Sequence, residues 1–151
     1  MLDDTDRRLL RLLQAEPTLT NAELAASANL TPSRVFRRIE KMQAQGLTLG
    51  KEAVIDWSAL GYAVEVSLRI TLDKTQPRAF DDFIAAAREV PEVLEIQTFL
   101  GRVDVRLAVI ARDMTEYQQV YRKRILTLPH IADIEALMHL ARIKSNEALP
   151  L

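Results

Sequence analysis

The chain has 151 residues, of which 48% are apolar and 27% are charged, and its formal net charge is −1 with an isoelectric point near 6.1. It contains no cysteine, which excludes a disulfide framework, a cysteine-based zinc site and a thiol nucleophile. Its apolar runs fall far short of the roughly 20 residues that cross a bilayer, so we expect no signal peptide or membrane span and a cytoplasmic protein.

Boundary signals predict the first two helices. One apolar face and a stop at Pro17 predict a first helix over residues 4–15. The second helix opens with Thr20 and Glu23, a capping box in which each side chain accepts a hydrogen bond from the backbone of the other residue. It ends near Asn29, because asparagine tolerates the left-handed conformation that closes a helix.

A third helix follows at once. Thr31 is suited to be its N-cap, and Pro32 stands at the first helical position, where no backbone donor is needed. The pattern ends at Gly46. A short helix, a short turn and a second capped helix are the layout of a helix-turn-helix, which we predict over about 20–46 with its recognition helix over about 32–45.

The recognition helix carries an apolar stripe and a separate basic stripe. The apolar stripe comprises Val35, Ile39 and Met42, and the basic stripe comprises Arg34, Arg37, Arg38 and Lys41, with Glu40 as the one acid nearby. Basic stripes on helices are usually solvated faces. This one coincides with helix-turn-helix spacing, so we predict that it contacts DNA.

Position along this helix suggests the role of each polar side chain. Ser33 and Arg34 lie nearest the helix N-terminus and are predicted to reach base edges. Arg38 and Lys41 are predicted to contact phosphates, and Arg37 fits either role.

The residues after the third helix are predicted to form a short β wing and a hinge. Apolar triplets at 47–49 and 53–55 flank Gly50 and Lys51, as in a short hairpin. Lys51 can reach the DNA backbone from such a wing, although a solvated turn fits these residues equally well. Residues 56–62 form the natural linker.

The rest of the chain alternates strand and helix patterns in the order βαββαβ. The predicted strands are 64–72, 93–100, 105–111 and 131–140, and the predicted helices are 77–89 and 114–126. The inner stripes of the helices are Phe80, Phe83, Ile84 and Ala87, and Met114, Tyr117, Tyr121 and Ile125. The order is that of a ferredoxin-like domain, so the fold class is α+β.

Apolar residues are predicted on both faces of this sheet. Strict alternation places Leu94, Ile96, Met138 and Leu140 on one face and Val93, Phe99, Leu137 and Ala141 on the other. Two helices can cover only one face. We therefore predict that a partner subunit covers the other, so that the protein is at least a dimer reading a palindromic operator.

The sequence offers little for catalysis or metal binding. It has no phosphate-binding glycine loop, no nucleophile elbow and no His-Glu-x-x-His pattern. His130 and His139 are its only imidazoles, and without clustered ligands we interpret both as structural or exposed. We predict no catalytic residue, no metal and no cofactor. A small ferredoxin-like enzyme with a pocket at Arg102 and Asp104 is the rival interpretation.

Several motifs follow one another in a definite order along nearly the whole chain. The N-terminal ones are Leu2-Asp3-x-x-Asp6-x-x-Leu9-Leu10-x-x-Leu13-Gln14, Thr20-Asn21-x-Glu23-Leu24-Ala25, Leu30-Thr31-Pro32-Ser33, Arg37-Arg38-Ile39-x-x-Met42 and Gly46-Leu47. The C-terminal ones are Gly101-x-x-Asp104 and the tail from Ile143-Lys144 to Leu149-Pro150-Leu151. In this order they resemble the Lrp/AsnC (feast/famine) family of transcription regulators.

The resemblance implies a sequence-specific regulator of transcription that dimerises through a RAM-type C-terminal domain and associates further into tetramers or octamers. It also implies that an amino acid or a related metabolite binds near the turn Gly101, Arg102, Val103 and Asp104, at an interface between dimers. This chain departs from the family pattern at Val105, where an aromatic is common, and at Arg34-Val35, where many members have Pro-Cys.

The residues of that turn suit an amino-acid effector. Gly101 lets a ligand approach backbone amides that suit a carboxylate, and Arg102 can assist them. Asp104 can pair with an α-ammonium group. A Gly-x-x-Asp turn is equally a serviceable hairpin in which Asp104 bonds its own loop amides.

We thus predict three segments. Residues 1–55 form the DNA-binding domain, 56–62 the linker, and 63–151 the domain for dimerisation and effector binding. An architectural DNA-binding protein with little sequence preference is the remaining alternative.

Overall fold

The computed structural model describes residues 2–145 and 148–151 and confirms the predicted α+β class. The helices are α1 (Asp4–Ala15), α2 (Asn21–Ala28), α3 (Pro32–Ala44), α4 (Ala79–Arg88) and α5 (Met114–Val120), the last continued by a π-helical turn at Tyr121–Ile125. The strands are β1 (Val64–Leu72), β2 (Val93–Thr98), β3 (Val105–Ala111) and β4 (Ile131–Met138). The chain divides into two compact units, Met1–Val54 with Lys144–Leu151, and Ile55–Ile143.

Three helices pack around a small core in the first unit. Its buried residues are Leu9, Leu24, Ala25, Ala28, Val35 and Met42. Each helix begins with a side-chain cap from Asp3, Thr20 or Thr31, as expected where the first backbone N–H groups lack helical partners. α2 and α3 therefore begin where their predicted capping residues place them, and α1 begins at the predicted Asp4 with Asp3 as its cap.

The β wing predicted after α3 is not formed. The structure assigns no strand to residues 47–63, and Leu49 and Val54 are almost fully exposed. A hairpin of two three-residue strands is marginal unless its apolar side chains are packed, and these two side chains remain exposed within residues 2–145 and 148–151.

The second unit is a four-stranded antiparallel sheet in the order β2-β3-β1-β4, with both helices packed against one face. This is the predicted βαββαβ arrangement. The alternating apolar residues of β1, which are Val66, Leu68, Ile70 and Leu72, are buried on the helix side. Phe83 of α4 and Ile125 of the π-helical turn fill the core above them.

Both helices of this unit differ in detail from the prediction. α4 begins at Ala79 rather than Pro77, because Pro77 lies in the turn that precedes the helix. Its buried residues are Ala79, Phe83 and Ala87, one every four positions, so Phe80 lies at the edge and is 46% exposed. Met114, predicted inside, is 42% exposed at the first position of α5.

The two outer strands end early, and the predicted division of side chains between the sheet faces is wrong at the start of β2 but holds for Ile96, Met138 and Leu137. β2 ends at Thr98 and β4 at Met138, where pairing with β3 and β1 stops. A register shift between Val93 and Glu95 puts Val93 and Ile96 on the same, helix-covered side. One extra residue in a strand reverses the alternation beyond it, and periodicity alone cannot locate such a bulge.

The face away from the helices carries both polar and apolar side chains. Arg69 of β1 opposes Glu135 of β4, and Gln97 of β2 opposes Arg106 of β3. Leu137 lies on the same face beside Ser67 and is 37% exposed. Ala108 and Ile110 of β3 oppose Ser67 and Glu65, so they lie on this face too, and each is at most 8% exposed.

Candidate DNA-binding surface and effector turn

Short-range hydrogen bonds build the pair of helices α2 and α3. Thr20 Oγ1 accepts from the N–H of Glu23 at 3.3 Å, and Glu23 Oε2 accepts from the N–H of Thr20 at 2.8 Å. Asn29 closes α2 in the left-handed conformation, with φ 55° and ψ 46°. Thr31 then caps α3 through its side chain. The turn between the helices is therefore encoded locally, as the capping signals predicted.

The third helix buries its apolar stripe and exposes most of its polar residues. Val35 and Met42 are at most 2% exposed, and Ile39 packs against the same core. Four predicted DNA contacts are exposed, namely Ser33, Arg34, Arg37 and Lys41. In the part of the chain that the structure describes, no carboxylate forms an ion pair with these three basic side chains.

Arg38 differs from the other basic residues of α3. Its Nη1 donates to Asp3 Oδ2 and to Asp6 Oδ1, both at 2.7 Å, and its side chain is 33% exposed. The N–H of Asp6 and then the Arg38 guanidinium hold the pKa of Asp3 below its ordinary value of 3.8. The same carboxylates raise the pKa of Arg38. The charge of this arginine is matched within the protein.

Phe36 is an exposed aromatic on α3 that the sequence analysis did not single out. It is 53% exposed, between the buried Val35 and the exposed Arg37. Its position off the apolar stripe was the available signal, because an aromatic there cannot join the core of the helices.

The turn between β2 and β3 is fastened to the end of β1. Asp104 Oδ2 accepts from the N–H of Leu72 at 2.8 Å, and Oδ1 lies 3.4 Å from Lys74 Nζ. Thr71 Oγ1 donates to the carbonyl of Arg102 at 2.9 Å. Asp104 thus has protein partners for both carboxylate oxygens, which is the arrangement expected of a structural turn.

The backbone of the same turn offers donors. Among the described residues, no protein acceptor bonds to the N–H groups of Gly101, Arg102 and Val103. Gly101 has φ 152°, and a Cβ added to it would meet nothing within 4 Å. The four predicted effector residues therefore lie together on one turn, with free amides at its tip and a charged network at its base.

Two shallow cavities lie at the sheet face away from the helices. One, of about 310 Å³, includes Ser67, Arg106 and Leu137 in its lining. The other, of about 300 Å³, includes Trp57 and Tyr62. Arg106 Nε donates to Ser67 Oγ at 2.9 Å and its Nη1 donates to Gln97 Oε1 at 2.9 Å, so this arginine is held by its neighbours.

Both histidines contact carboxylates. His130 Nε2 lies 3.1 Å from Asp82 Oδ2, and His139 Nδ1 lies 3.6 Å from Glu65 Oε2. The described residues contain no group of three or more His, Cys, Asp or Glu side chains that could hold a metal ion. Every helix within residues 2–145 and 148–151 is too short or too polar to span a membrane.

Comparison with known proteins assigns both parts of the chain. Residues 2–47 match the family described as winged helix-turn-helix DNA-binding, and residues 65–149 match the Lrp/AsnC ligand binding domain. The proline dehydrogenase transcriptional activator of Rhodobacter capsulatus is 34% identical over 87% of this chain and 86% of its own length. The DNA-binding transcriptional activator DecR of Escherichia coli is 29% identical over 100% of this chain and 99% of its own.

A solved structure agrees with these matches. The crystal structure of a transcriptional regulator from Neisseria meningitidis in complex with L-methionine superposes with a TM-score of 0.91 at 28% identity, covering 99% of this chain and 97% of the other. The helix-turn-helix, the ferredoxin-like sheet and the relatives therefore support the same assignment. The chain is a DNA-binding transcription regulator of the Lrp/AsnC family.

Proposed function

We propose that the regulator reads its operator with the exposed face of α3. The observation that carries this is the contrast within one helix, where Arg34, Arg37 and Lys41 have no ion-pair partner in the described chain while Arg38 has two. Unpaired cations that follow one face of a capped recognition helix are suited to the phosphates and bases of a major groove.

Helix geometry orders these contacts. Arg37 lies two residues after the buried Val35, about 200° around the helix, so it points almost directly away from the core. Ser33 lies on the same side, near the helix N-terminus, where backbone amides also face the groove. We assign Ser33 and Arg37 to base edges. Lys41 and Arg34 lie about 40° and 60° from Arg37 around the helix, on the side away from Ser33, and are assigned to phosphates. For Arg34 this replaces the base contact predicted from the sequence.

The experiment uses a duplex that the full chain selects from a random library, together with a scrambled duplex of equal length. Arg37→Ala should weaken binding to the selected duplex by about 1–3 kcal/mol and relax the preference at one position. Lys41→Ala should weaken binding to both duplexes. It should also lower the salt slope, which is the dependence of the logarithm of affinity on the logarithm of salt concentration, by about one. Arg122→Ala, an exposed arginine of the π-helical turn, is the matched control.

Two outcomes contradict this assignment. If Arg37→Ala and Lys41→Ala bind both duplexes like the parent chain, α3 is not the DNA surface. If the parent chain itself does not discriminate between selected and scrambled duplexes, the protein is an architectural DNA-binding protein.

We also propose that the working unit is at least a dimer with a palindromic operator. Support comes from apolar side chains that the single chain leaves uncovered, including Leu49, Val54 and Ile55 after α3 and Leu94 and Leu140 beside the sheet. A second copy brings a second α3, and two linked half-sites bind more tightly than one. Sedimentation should show a dimer, tetramer or octamer, and a monomer at micromolar concentration would contradict the proposal.

The effector is proposed to be an amino acid held at the turn of Gly101, Arg102, Val103 and Asp104. Its carboxylate would accept from the three amides that lack a protein partner, with Arg102 alongside. Its ammonium group would pair with Asp104 Oδ1 and displace Lys74 Nζ, which lies 3.4 Å away. The relative solved with L-methionine supports an amino acid as the class of ligand.

Calorimetry of the full chain against the twenty amino acids tests this site. Gly101→Trp should abolish binding of any ligand found, and Asp104→Asn, which keeps an acceptor for the backbone, should weaken it. Asp81→Asn, an exposed carboxylate on α4, should bind like the parent. If no amino acid binds, or if Gly101→Trp and Asp104→Asn bind normally, the effector site lies elsewhere.

We place the regulator in the cytoplasm, because its proposed operator lies on the chromosome.

A further inference from the structure

One nitrogen of Arg38 joins the start of α1 to the middle of α3. Arg38 Nη1 is 2.7 Å from Asp3 Oδ2 and 2.7 Å from Asp6 Oδ1. Asp6 is 8% exposed and is the only buried charged or polar residue in the described part of the chain. A buried carboxylate is disfavoured without a cationic partner, so the guanidinium of Arg38 stabilises Asp6 in its buried position.

The two carboxylates are already held in place before Arg38 is considered. Asp3 Oδ1 accepts from the N–H of Asp6 at 2.8 Å, and Asp6 Oδ2 accepts from the N–H of Asp3 at 3.3 Å. This reciprocal capping box orients both side chains at the first turn of α1. Arg38 is therefore anchored to two groups that cannot easily move.

We infer that Arg38 is a positioning residue, which fixes the rotation of α3 through Asp3 and Asp6, and is not a phosphate contact. The inference rests on the proposed function, in which α3 contacts DNA. Ser33 and Arg37 project from the face of α3 opposite the core, so any rotation of the helix displaces both from the bases they read. A guanidinium bonded to two carboxylates also adds no net positive charge to the surface.

Two possible roles of Asp3 predict opposite effects of Asp3→Asn on binding to the selected duplex. If Asp3 acts on DNA only through its charge, Asp3→Asn removes a repulsion and strengthens binding to any duplex. If it positions α3 through Arg38, the same change lowers discrimination between duplexes without weakening binding to the scrambled one. Asparagine is as good an N-cap as aspartate, so α1 should still begin correctly.

The experiment measures affinity for the selected and the scrambled duplex over a series of salt concentrations, with the full chain. Lys41→Gln is the matched neutralising variant and should lower the salt slope by about 0.9, because Lys41 is assigned to a phosphate. Arg37→Gln should mainly lower the selected-to-scrambled ratio, because Arg37 is assigned to a base edge. Arg38→Gln should leave the slope unchanged and reduce the selected-to-scrambled ratio by about 5-fold to 150-fold, the factor that a single base contact contributes. Asp3→Asn should reduce the same ratio, in a protein whose thermal unfolding shows a folded state.

The outcomes separate this inference from the proposed function. A slope lowered by about 0.9 in Arg38→Gln, with an unchanged ratio, makes Arg38 a phosphate contact and overturns the inference. An unchanged slope and ratio in both Arg38→Gln and Asp3→Asn also overturns it. If Arg38→Gln does not fold, Asp3→Asn alone decides. Normal binding by Arg37→Gln and Lys41→Gln contradicts the proposed function instead, whatever Arg38→Gln does.

Discussion

Asp104 Oδ2 accepts a hydrogen bond from the backbone N–H of Leu72 at 2.8 Å, which fastens the turn between β2 and β3 to the last residue of β1. The side chain of Asp104 is 17% exposed. Asp104→Ala leaves this amide without its acceptor and should lower the free energy of unfolding by about 1–3 kcal/mol. Urea denaturation measures the loss. Asp104→Asn should lose less, and Asp133→Ala, an exposed residue of β4, should change little. Equal stability of Asp104→Ala and the parent would show that the bond contributes nothing.

Phe80 and Phe83 lie three residues apart on α4 but differ in burial. Phe83 is fully buried in the core of the second unit, while Phe80 is 46% exposed. Phe83→Ala should lower the free energy of unfolding by about 3–5 kcal/mol, because it leaves a cavity in the core. Phe80→Ala should cost less than about 1 kcal/mol. Denaturation of the two variants side by side tests the observed orientation of α4, and similar losses would contradict it.

Asn29 occupies the left-handed conformation between α2 and α3, with φ 55°. Asn29→Gly should be nearly neutral, because glycine adopts this conformation without strain. Asn29→Ala should lose about 1–2 kcal/mol of stability, because its Cβ is crowded there. Thermal unfolding ranks the variants. If Asn29→Ala proves as stable as Asn29→Gly, the turn does not depend on this backbone conformation.

The acid side of the stability profile should depend on Asp3. Its pKa in the folded protein lies below the ordinary value of 3.8, first because of the Asp6 N–H and then because of Arg38. Between the folded pKa and the ordinary value, the unfolded chain therefore binds more protons than the folded protein. Asp3 stabilises the fold above pH 3.8, and this contribution is lost as the pH falls through the folded pKa.

Denaturation at a series of pH values and one protein concentration measures this effect. In Asp3→Asn, stability should fall less steeply below about pH 5 than in the parent. Glu23 belongs to the second capping box, and its pKa is likewise lowered, by Thr20. Glu23→Gln is therefore a positive control, in which stability should also fall less steeply with decreasing pH than in the parent. Identical acid profiles in Asp3→Asn and the parent would contradict the role of Asp3.

The sequence alone determined the parts of this protein that depend on neighbours in the chain. The capping residues Asp3, Thr20 and Thr31 mark helix starts because their side chains bond amides only three positions on. The alternation in β1 and the order of strands and helices predict the sheet, because these patterns too are set by residues close together in the chain. The family resemblance rests on such short motifs and was confirmed.

Only the tertiary structure decided features that depend on residues far apart in the chain. Arg38 has the sequence spacing of its neighbours on α3, and its pairing with Asp3 and Asp6 arises from the packing of α1 against the core. Likewise, the bulge after Val93 put Val93 on the same face as Ile96, because pairing with β3 sets the register there. A helical wheel or a strand period describes one element by itself, whereas charges and faces are assigned when elements meet.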